Sequence, residues 1–192
     1  ERALSMTLAA VGAGSPIEGL EAFRAQCRAN AEQYETIGSV EVAKVTREAP
    51  SRIPFLLKDP RGHADFYAAL ARHDARGSAN TMRSFQGQRP SIYTMTEAIR
   101  RVPTPALILC GDEDDNCIAP SLFLKQALPA SGLVMMPKTG HVVNLEEPDL
   151  FNQAVGDFLS RVDAGRWAPR DPRTIPAVST PTPWNRGGAK TV

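Results

Sequence analysis

The chain has 192 residues, which suits one domain of ordinary size, and 42% of them are hydrophobic, which is enough for a core. Its net charge of +1 gives no basic surface and no apolar run is long enough to cross a membrane, so we expect neither a nucleic-acid nor a membrane partner. The cysteines, Cys27, Cys110 and Cys117, have no metal-ligand spacing, and their odd number favours reduced thiols in the cytoplasm.

The first predicted element is a buried strand over residues 4–11, "LSMTLAAV", which belongs to a core segment of residues 1–13. The sequence opens on this strand without a methionine and without the pattern of a signal peptide. Because a native domain seldom begins so abruptly on a core strand, we expect these residues to be part of a longer or processed chain.

A helical section is predicted for residues 14–102, in which no strand pattern appears. Ser15 and Pro16 form an N-cap and N1 pair that predicts the start of the first helix. Gly38 is placed to end this helix, and Ser39 is placed to cap a second, shorter one.

Two further helix signals follow in the same section. Pro50 ends the second helix, and Asp59 with Pro60 repeats the cap-then-proline pattern before a helix over "RGHADFYAALARHD". His63 and His73 fall in this region among charged residues, so we expect solvated side chains there rather than catalytic ones.

Beyond the helical section the pattern changes to alternating strands and helices. Apolar strands are predicted at residues 106–110 and 133–137, each followed by a helical pattern. Fully apolar strands in this order predict an α/β fold with a parallel sheet covered on both faces, formed here by residues 103–162. The tail, residues 163–192, is rich in Pro, Arg, Thr and Gly and is predicted to be mostly disordered, with Trp167 packing its first part onto the core. The apolar face of the last helix comprises Leu150, Phe151, Ala154, Val155, Phe158 and Leu159.

Acid–base side chains follow both of the predicted strands at residues 106–110 and 133–137. The acidic turn "GDEDD" comes directly after the first strand, and His141 follows the second. Functional groups gather at the carboxyl ends of parallel strands, so both lie at the same edge of the predicted sheet. A carboxylate can orient an imidazole and stabilise its cation while the imidazole takes a proton from a nucleophile. We therefore predict a carboxylate–histidine pair.

Together these motifs resemble the C-terminal half of an α/β-hydrolase. The family pattern of Gly-x-x-Asp, Gly-His and Glu-x-Pro between strands and helices stands here as Gly111-Asp-Glu-Asp114, Gly140-His141 and Glu146-Glu-Pro148. The helical section lies where members of this family carry a cap over the active site. The resemblance covers all of the chain except the tail, and it implies the C-terminal part of an α/β-hydrolase parallel sheet with an inserted all-helical cap.

Carried over by position, the resemblance implies that His141 is a general base. It implies that Asp114, the fourth residue of the Gly-x-x-Asp turn, is the triad acid, with Asp112 and Asp115 as alternatives. Glu146 and Pro148 are expected to hold the loop and to start the closing helix rather than to take part in the chemistry.

The nucleophile of the family is missing from the sequence. The family carries it in a Gly-x-Ser-x-Gly elbow, and no serine, cysteine or aspartate of this chain has glycine at both the second position before and the second position after it. We therefore expect the chain to begin after the elbow. Expressed alone, it should be poorly soluble or molten, because its first strand exposes an apolar edge, and it should lack hydrolase activity.

The resemblance implies a hydrolase that needs no cofactor or metal and acts on a small apolar ester-like substrate, with esterase or lactonase activity first. Hydrolysis of carbon–carbon bonds, epoxides or haloalkanes, and a non-catalytic binding role, are the alternatives on the same fold; the oligomeric state stays open. Arg89 and Gln86 are expected in a surface loop. The candidates for an apolar pocket wall in the cap are Phe55, Phe66, Tyr67, Met82, Phe85 and Tyr93.

Overall fold

A three-stranded parallel sheet lies at the centre of the computed structural model, which describes residues 3–175. Its strands are β1 (Met6–Ala9), β2 (Ala106–Gly111) and β3 (Ser131–Met136), in the order β1-β2-β3. Both neighbouring pairs are parallel, which confirms the predicted α/β fold.

The described residues form eight α-helices, which either surround the sheet or make up the helical section. They are α1 (Leu20–Thr46), α2 (Ile53–Lys58), α3 (Pro60–Ala71), α4 (Ala75–Asn80), α5 (Thr96–Arg100), α6 (Asp115–Ala127), α7 (Val143–Glu146) and α8 (Pro148–Asp163). Among the described residues, no helix combines the length and the apolar character that a membrane crossing requires.

Strand β2 is buried along its whole length because helices cover both of its faces. Leu107 and Leu109 pack in one buried cluster with Phe158 of α8. Ile108, whose side chain lies on the opposite face, packs in another cluster with Leu124 of α6. The prediction of a sheet covered on both faces therefore holds for its central strand.

Strand β3 and helix α8 are more exposed than the sequence predicted. Met135 of β3 is exposed, since this strand lies at one edge of the sheet that the described residues form. On α8, Leu150 and Leu159 are also exposed, whereas Phe151 and Val155 pack against the core. The predicted apolar face of α8 is thus correct at its centre and wrong at its margins.

The start of helix α1 differs from the prediction. The helix begins at Leu20 after Gly19, whose φ of 71° is left-handed, and Ser15 does not cap it. Ser15 is buried and its amide donates to the carbonyl of Pro90 at 3.4 Å, next to a β-bridge between Gly14 and Ser91. The residues that carry the local capping signal are therefore engaged in a tertiary backbone pairing and do not cap the helix.

The break at Gly38 is confirmed, because this glycine has φ 75° and ψ 169° and divides α1 into two helical parts. The capping role of Ser39 is wrong: within residues 3–175 its hydroxyl is buried without a hydrogen-bond partner. Asp59 caps α3 as predicted, since its side chain accepts a hydrogen bond from the amide of Gly62 at 2.8 Å.

His63 is buried, which corrects the prediction of a solvated histidine. Its Nε2 lies 2.9 Å from the carbonyl oxygen of Arg47, and its ring packs against Phe55 and Tyr67. Phe66 joins the same aromatic cluster. His73, by contrast, is exposed as expected.

Trp167 packs the first part of the tail onto the core, as predicted. Its ring lies 4.7 Å from that of Phe158, and its Nε1 donates to the carbonyl of Ala130 at 3.0 Å. The rest of the predicted disordered tail, from residue 176 onward, lies outside the described residues.

Candidate active site

The acidic turn brings Asp114 to the carboxyl end of β2. Gly111 ends this strand, and Asp114 stands immediately before α6 without using its side chain to cap the helix. Its Oδ2 instead lies 2.7 Å from Nδ1 of His141, a hydrogen-bond distance. The carboxylate is only 1% exposed, whereas the imidazole is 36% exposed. The structure therefore brings together the two residues that the sequence singled out.

The two alternative acids lie elsewhere. Oδ1 of Asp112 accepts a hydrogen bond from the amide of Thr139 at 3.2 Å, so this side chain ties the acidic turn to the loop that carries His141. Asp115 is exposed in the first turn of α6. Neither carboxylate contacts the imidazole among the described hydrogen bonds, which favours Asp114 on geometry.

The acidic turn and the histidine loop, residues 137–147, touch through their backbones at Gly111. A Cβ atom added to this glycine would lie 2.1 Å from the carbonyl oxygen of Thr139 and 2.4 Å from that of Gly140. In addition, the amide of Glu113 donates to the Thr139 carbonyl at 2.9 Å. The glycine of the Gly-x-x-Asp motif is therefore required by the close approach of the two loops.

Glu146 holds the histidine loop from inside. Its Oε2 accepts a hydrogen bond from the amide of Gly140 at 2.7 Å, and its Oε1 accepts one from the amide of Val142 at 3.1 Å. These two amides flank His141 in sequence. The buried carboxylate therefore fixes the backbone on both sides of the imidazole, in agreement with the structural role expected from the sequence.

Two residues of the helical section, Ser51 and Lys58, contact the same loop, and no sequence pattern predicts these contacts. The amide of His141 donates to the carbonyl of Ser51 at 3.2 Å. Lys58, the last residue of α2, donates to Oγ1 of Thr139 at 3.2 Å and forms an ion pair with Glu147. No motif or periodicity in the sequence marks these residues, because their partners are 81 to 90 positions away.

The charge of the site is concentrated on Asp114. Burial raises the pKa of its carboxyl, but the hydrogen bond from His141 and the nearby positive charge of Arg52 help to outweigh burial, so that the pKa lies below its ordinary value. The carboxyl group is therefore ionised near neutral pH. A buried carboxylate beside an imidazole favours the imidazolium form whenever the ring takes up a proton.

Cys117 lies beside this pair. Its sulfur is 3.8 Å from Nδ1 of His141 and donates to the carbonyl of Ala10 at 3.3 Å. Burial, together with the neighbouring Asp114 carboxylate, raises the pKa of the thiol well above its ordinary value. At neutral pH the sulfur is therefore protonated and a poor nucleophile.

Asp114, Cys117 and His141 also offer one metal-ligand atom each, and these atoms lie within 4.8 Å of one another. However, Nδ1 of His141 is engaged by Asp114, and metal binding would require loss of the proton from a thiol whose pKa is raised. The arrangement thus favours a hydrogen-bonded acid–base pair over a metal site.

A cleft of about 340 Å³ opens beside the acidic turn. Asp114 contributes to its wall, as do Ile53, Pro54 and Leu57 of the helical section, whereas His141 is not among its lining residues. None of the aromatic or methionine side chains predicted for a pocket wall lines this cleft. Phe55 and Tyr67 are buried in the aromatic cluster described above.

The remaining candidates for a pocket wall lie in other surroundings. Tyr93 packs its ring 4.9 Å from that of Phe123, Met82 packs against the core of the helical section, and Phe85 is exposed. Arg89 lies in a loop, as predicted, whereas Gln86 is the last residue of a π-helical turn (Thr81–Gln86), and both side chains are half-buried.

The comparison with family models decides the classification. A model described as "Alpha/beta hydrolase family" matches residues 6–154, which is most of the chain. The chain belongs to the alpha/beta hydrolase family. The solved structure of MenH from S. aureus is similar to this chain, with a TM-score of 0.77 at 18% sequence identity. The match covers 83% of this chain and 60% of the MenH chain.

Two curated relatives of this alpha/beta hydrolase share more sequence over shorter stretches. One is "Putative 2-succinyl-6-hydroxy-2,4-cyclohexadiene-1-carboxylate synthase" of Bacillus subtilis (strain 168), 33% identical over 47% of the chain and 32% of the relative. The other is "Putative carbamate hydrolase RutD" of Agrobacterium fabrum (strain C58 / ATCC 33970), 30% identical over 57% of the chain and 44% of the relative. The chain thus spans less than half the length of either curated relative.

Proposed function

We propose that this chain supplies the general base, His141, and the acid, Asp114, of a hydrolase that acts on small ester-like substrates as an esterase or lactonase. The observation that carries the proposal is the 2.7 Å contact between Nδ1 of His141 and Oδ2 of a carboxylate that is 1% exposed. Such a pair is the acid–base half of a Ser-Asp-His mechanism.

The geometry assigns a role to each ring nitrogen. With the Nδ1 proton donated to Asp114, Nε2 carries the lone pair and accepts the proton of an attacking hydroxyl. Nε2 makes no hydrogen bond within residues 3–175, and the ring is partly exposed, so it is open to such a group. Asp114 then stabilises the imidazolium, which later returns its proton to the leaving group.

The attacking group in this proposal comes from a segment other than these 192 residues. The sequence contains no Gly-x-Ser-x-Gly elbow, and the chain spans less than half of its curated relatives. Cys117 does not fit the role, since its sulfur lies near Nδ1, the nitrogen already bound to Asp114, and burial raises the pKa of its thiol.

The name of one relative supports carbonyl chemistry, and the cleft beside the acidic turn has about the volume of a small-ligand site. Apolar side chains of α2 are among the residues that line this cleft, whereas His141 is not. One of the curated relatives is named a putative carbamate hydrolase, and the hydrolysis of a carbamate takes place at a carbonyl carbon. The presence of the acid–base pair favours an enzyme over a binding protein of the same fold. Hydrolysis of carbon–carbon bonds would use the same pair and is the alternative reaction.

A fluorophosphonate probe on the intact protein tests this function. We expect the probe to label a serine, and His141→Gln to slow the labelling by about 10²-fold or more, because the general base is lost. His73→Gln is the matched control, since His73 is exposed on the helical section, and it should label like the wild type. Equal labelling of the wild type and His141→Gln would contradict the proposal. Absence of labelling together with hydrolysis of an epoxide or haloalkane would favour the alternative with an aspartate nucleophile.

A further inference from the structure

The carboxylate of Glu146 is an internal support for His141. It accepts hydrogen bonds from the amides of Gly140 and Val142, and its side chain is 0% exposed. A carboxylate that is buried loses its hydration, and the burial is destabilising unless hydrogen bonds and a nearby cation compensate for that loss. The two amides provide the hydrogen bonds, and the cation has to come from another element.

Lys58 provides that cation from the end of α2. Its Nζ lies 3.9 Å from Oε2 of Glu146, pairs with Glu147, and donates to Oγ1 of the buried Thr139. The side chain is 27% exposed, so its charge is less screened than that of a surface lysine. Its ammonium group therefore faces three residues of the histidine loop at once.

The segment that carries Lys58 packs tightly on the loop. A Cβ atom on Gly140 would lie 2.8 Å from the carbonyl oxygen of Ser51 and 3.0 Å from Cγ of Pro54. The same Ser51 carbonyl accepts the hydrogen bond of the His141 amide. A shift of this segment would thus move the cation and the backbone acceptor of the loop together.

We propose that Lys58 is a positioning residue for His141, which makes the placement of the base depend on the helical section. It acts through the carboxylate of Glu146 and the backbone of the histidine loop, and it touches no reacting atom. The inference rests on the proposed function only in calling His141 the base. Its structural part, the ordering of the loop by the Lys58 charge, stands on the contacts above.

Lys58→Met in the intact protein keeps the alkyl stem and removes the charge, and Lys58→Arg keeps the charge. The matched control is Lys138→Met, because Lys138 belongs to the same loop but is 86% exposed and, within residues 3–175, pairs only with Glu113. For ester hydrolysis we expect Lys58→Met to lower kcat about 10-fold or more at unchanged KM, as a misplaced catalytic group does, and Lys58→Arg to restore most of it. Hydrogen exchange measured by NMR should accelerate at the amides of Gly140 and Val142 in Lys58→Met alone.

Two results would overturn the inference. One is wild-type kcat and wild-type exchange in Lys58→Met, and the other is equal damage in Lys58→Arg and Lys58→Met, since the charge would then be irrelevant. If His141→Gln retained hydrolysis, the proposed function would fail while the exchange rates of Gly140 and Val142 would still decide the role of Lys58.

Discussion

The loops that carry Asp114 and His141 are held in place by different means. The acidic turn is short and is fixed by the elements that it joins, with Gly111 at the end of β2 and Asp114 at the start of α6. The histidine loop depends on a buried carboxylate within it and on two contacts from the helical section, at Ser51 and Lys58. The acid is thus placed mainly by the strand and the helix next to it in sequence, whereas the base also depends on contacts from a distant segment of the chain.

The largest effect is expected where the two loops meet. Gly111→Ala places a methyl group against two backbone carbonyls of the histidine loop, which cannot move without disrupting it, and we expect a loss of about 3 kcal/mol in the free energy of unfolding. Chemical denaturation of the intact protein measures this loss. The control is Gly156→Ala, an exposed position of α8 with open space around the added Cβ, which should instead gain about 0.5–1 kcal/mol. A Gly111→Ala variant with the wild-type free energy of unfolding would refute the close approach.

Glu146→Gln removes the buried charge that holds the histidine loop and faces Lys58. The amide side chain has one oxygen, so its NH₂ group would face one of the two backbone N–H groups that the carboxylate now accepts from. We expect a loss of about 2 kcal/mol in the free energy of unfolding, measured by the same denaturation. Glu147→Gln, at a half-exposed ion pair with Lys58, should cost less than about 1 kcal/mol. Equal costs for the two variants would mean that Glu146 does not hold the loop.

The pH dependence of stability isolates Asp114. Because the pKa of this carboxyl is lowered in the folded state, its ionised form stabilises the protein above the unfolded pKa, and this stabilisation is lost as the pH falls through the folded pKa. Between about pH 5 and about pH 2, Asp114→Asn should therefore lose less free energy of unfolding than the wild type does. Asp115→Asn, at the neighbouring exposed position, is the control. A wild-type slope in Asp114→Asn would show that the contact with His141 does not stabilise the charged carboxyl.

The smallest effect is expected for the exposed ion pair between the two loops. Lys138 of the histidine loop lies 3.2 Å from Glu113 of the acidic turn, but solvent screens this pair. Lys138→Gln should change the free energy of unfolding by less than about 0.5 kcal/mol. A loss as large as that of Glu146→Gln would mean that surface charge, rather than the buried carboxylate, joins the loops.

The same contrast explains what the sequence predicts and what it does not. The strand β2 and the acidic turn after it follow from local patterns, whereas the choice of Asp114 within the turn comes from the resemblance to the family. In the structure, Asp114 is the acid of this turn that lies against His141. The Glu-x-Pro motif is also local, and it predicts the supporting role of Glu146 in the loop. Lys58 and Ser51 give no such signal, because a hydrogen bond across more than 80 residues leaves no spacing to recognise.

The wrong predictions in the helical section have the same origin. Ser15 carries a valid capping signal, but its backbone pairs with the segment at Pro90, and tertiary pairing outweighs the local preference. His63 lies among charged residues in sequence, yet its ring packs against Phe55 of α2 and against Tyr67, one turn further along α3. Local charge therefore did not predict the burial of this histidine.

The most direct test of the central claim compares the three acids of the turn in the intact protein. The measurement is kcat/KM for ester hydrolysis by Asp114→Asn, Asp112→Asn and Asp115→Asn. We expect Asp114→Asn to lower it by about 10⁴-fold, because the imidazole loses its orienting carboxylate. Asp115→Asn should match the wild type, and Asp112→Asn, which weakens a hydrogen bond to the backbone of Thr139, should fall between them. A larger loss in Asp112→Asn or Asp115→Asn than in Asp114→Asn would contradict the assignment of Asp114 as the acid.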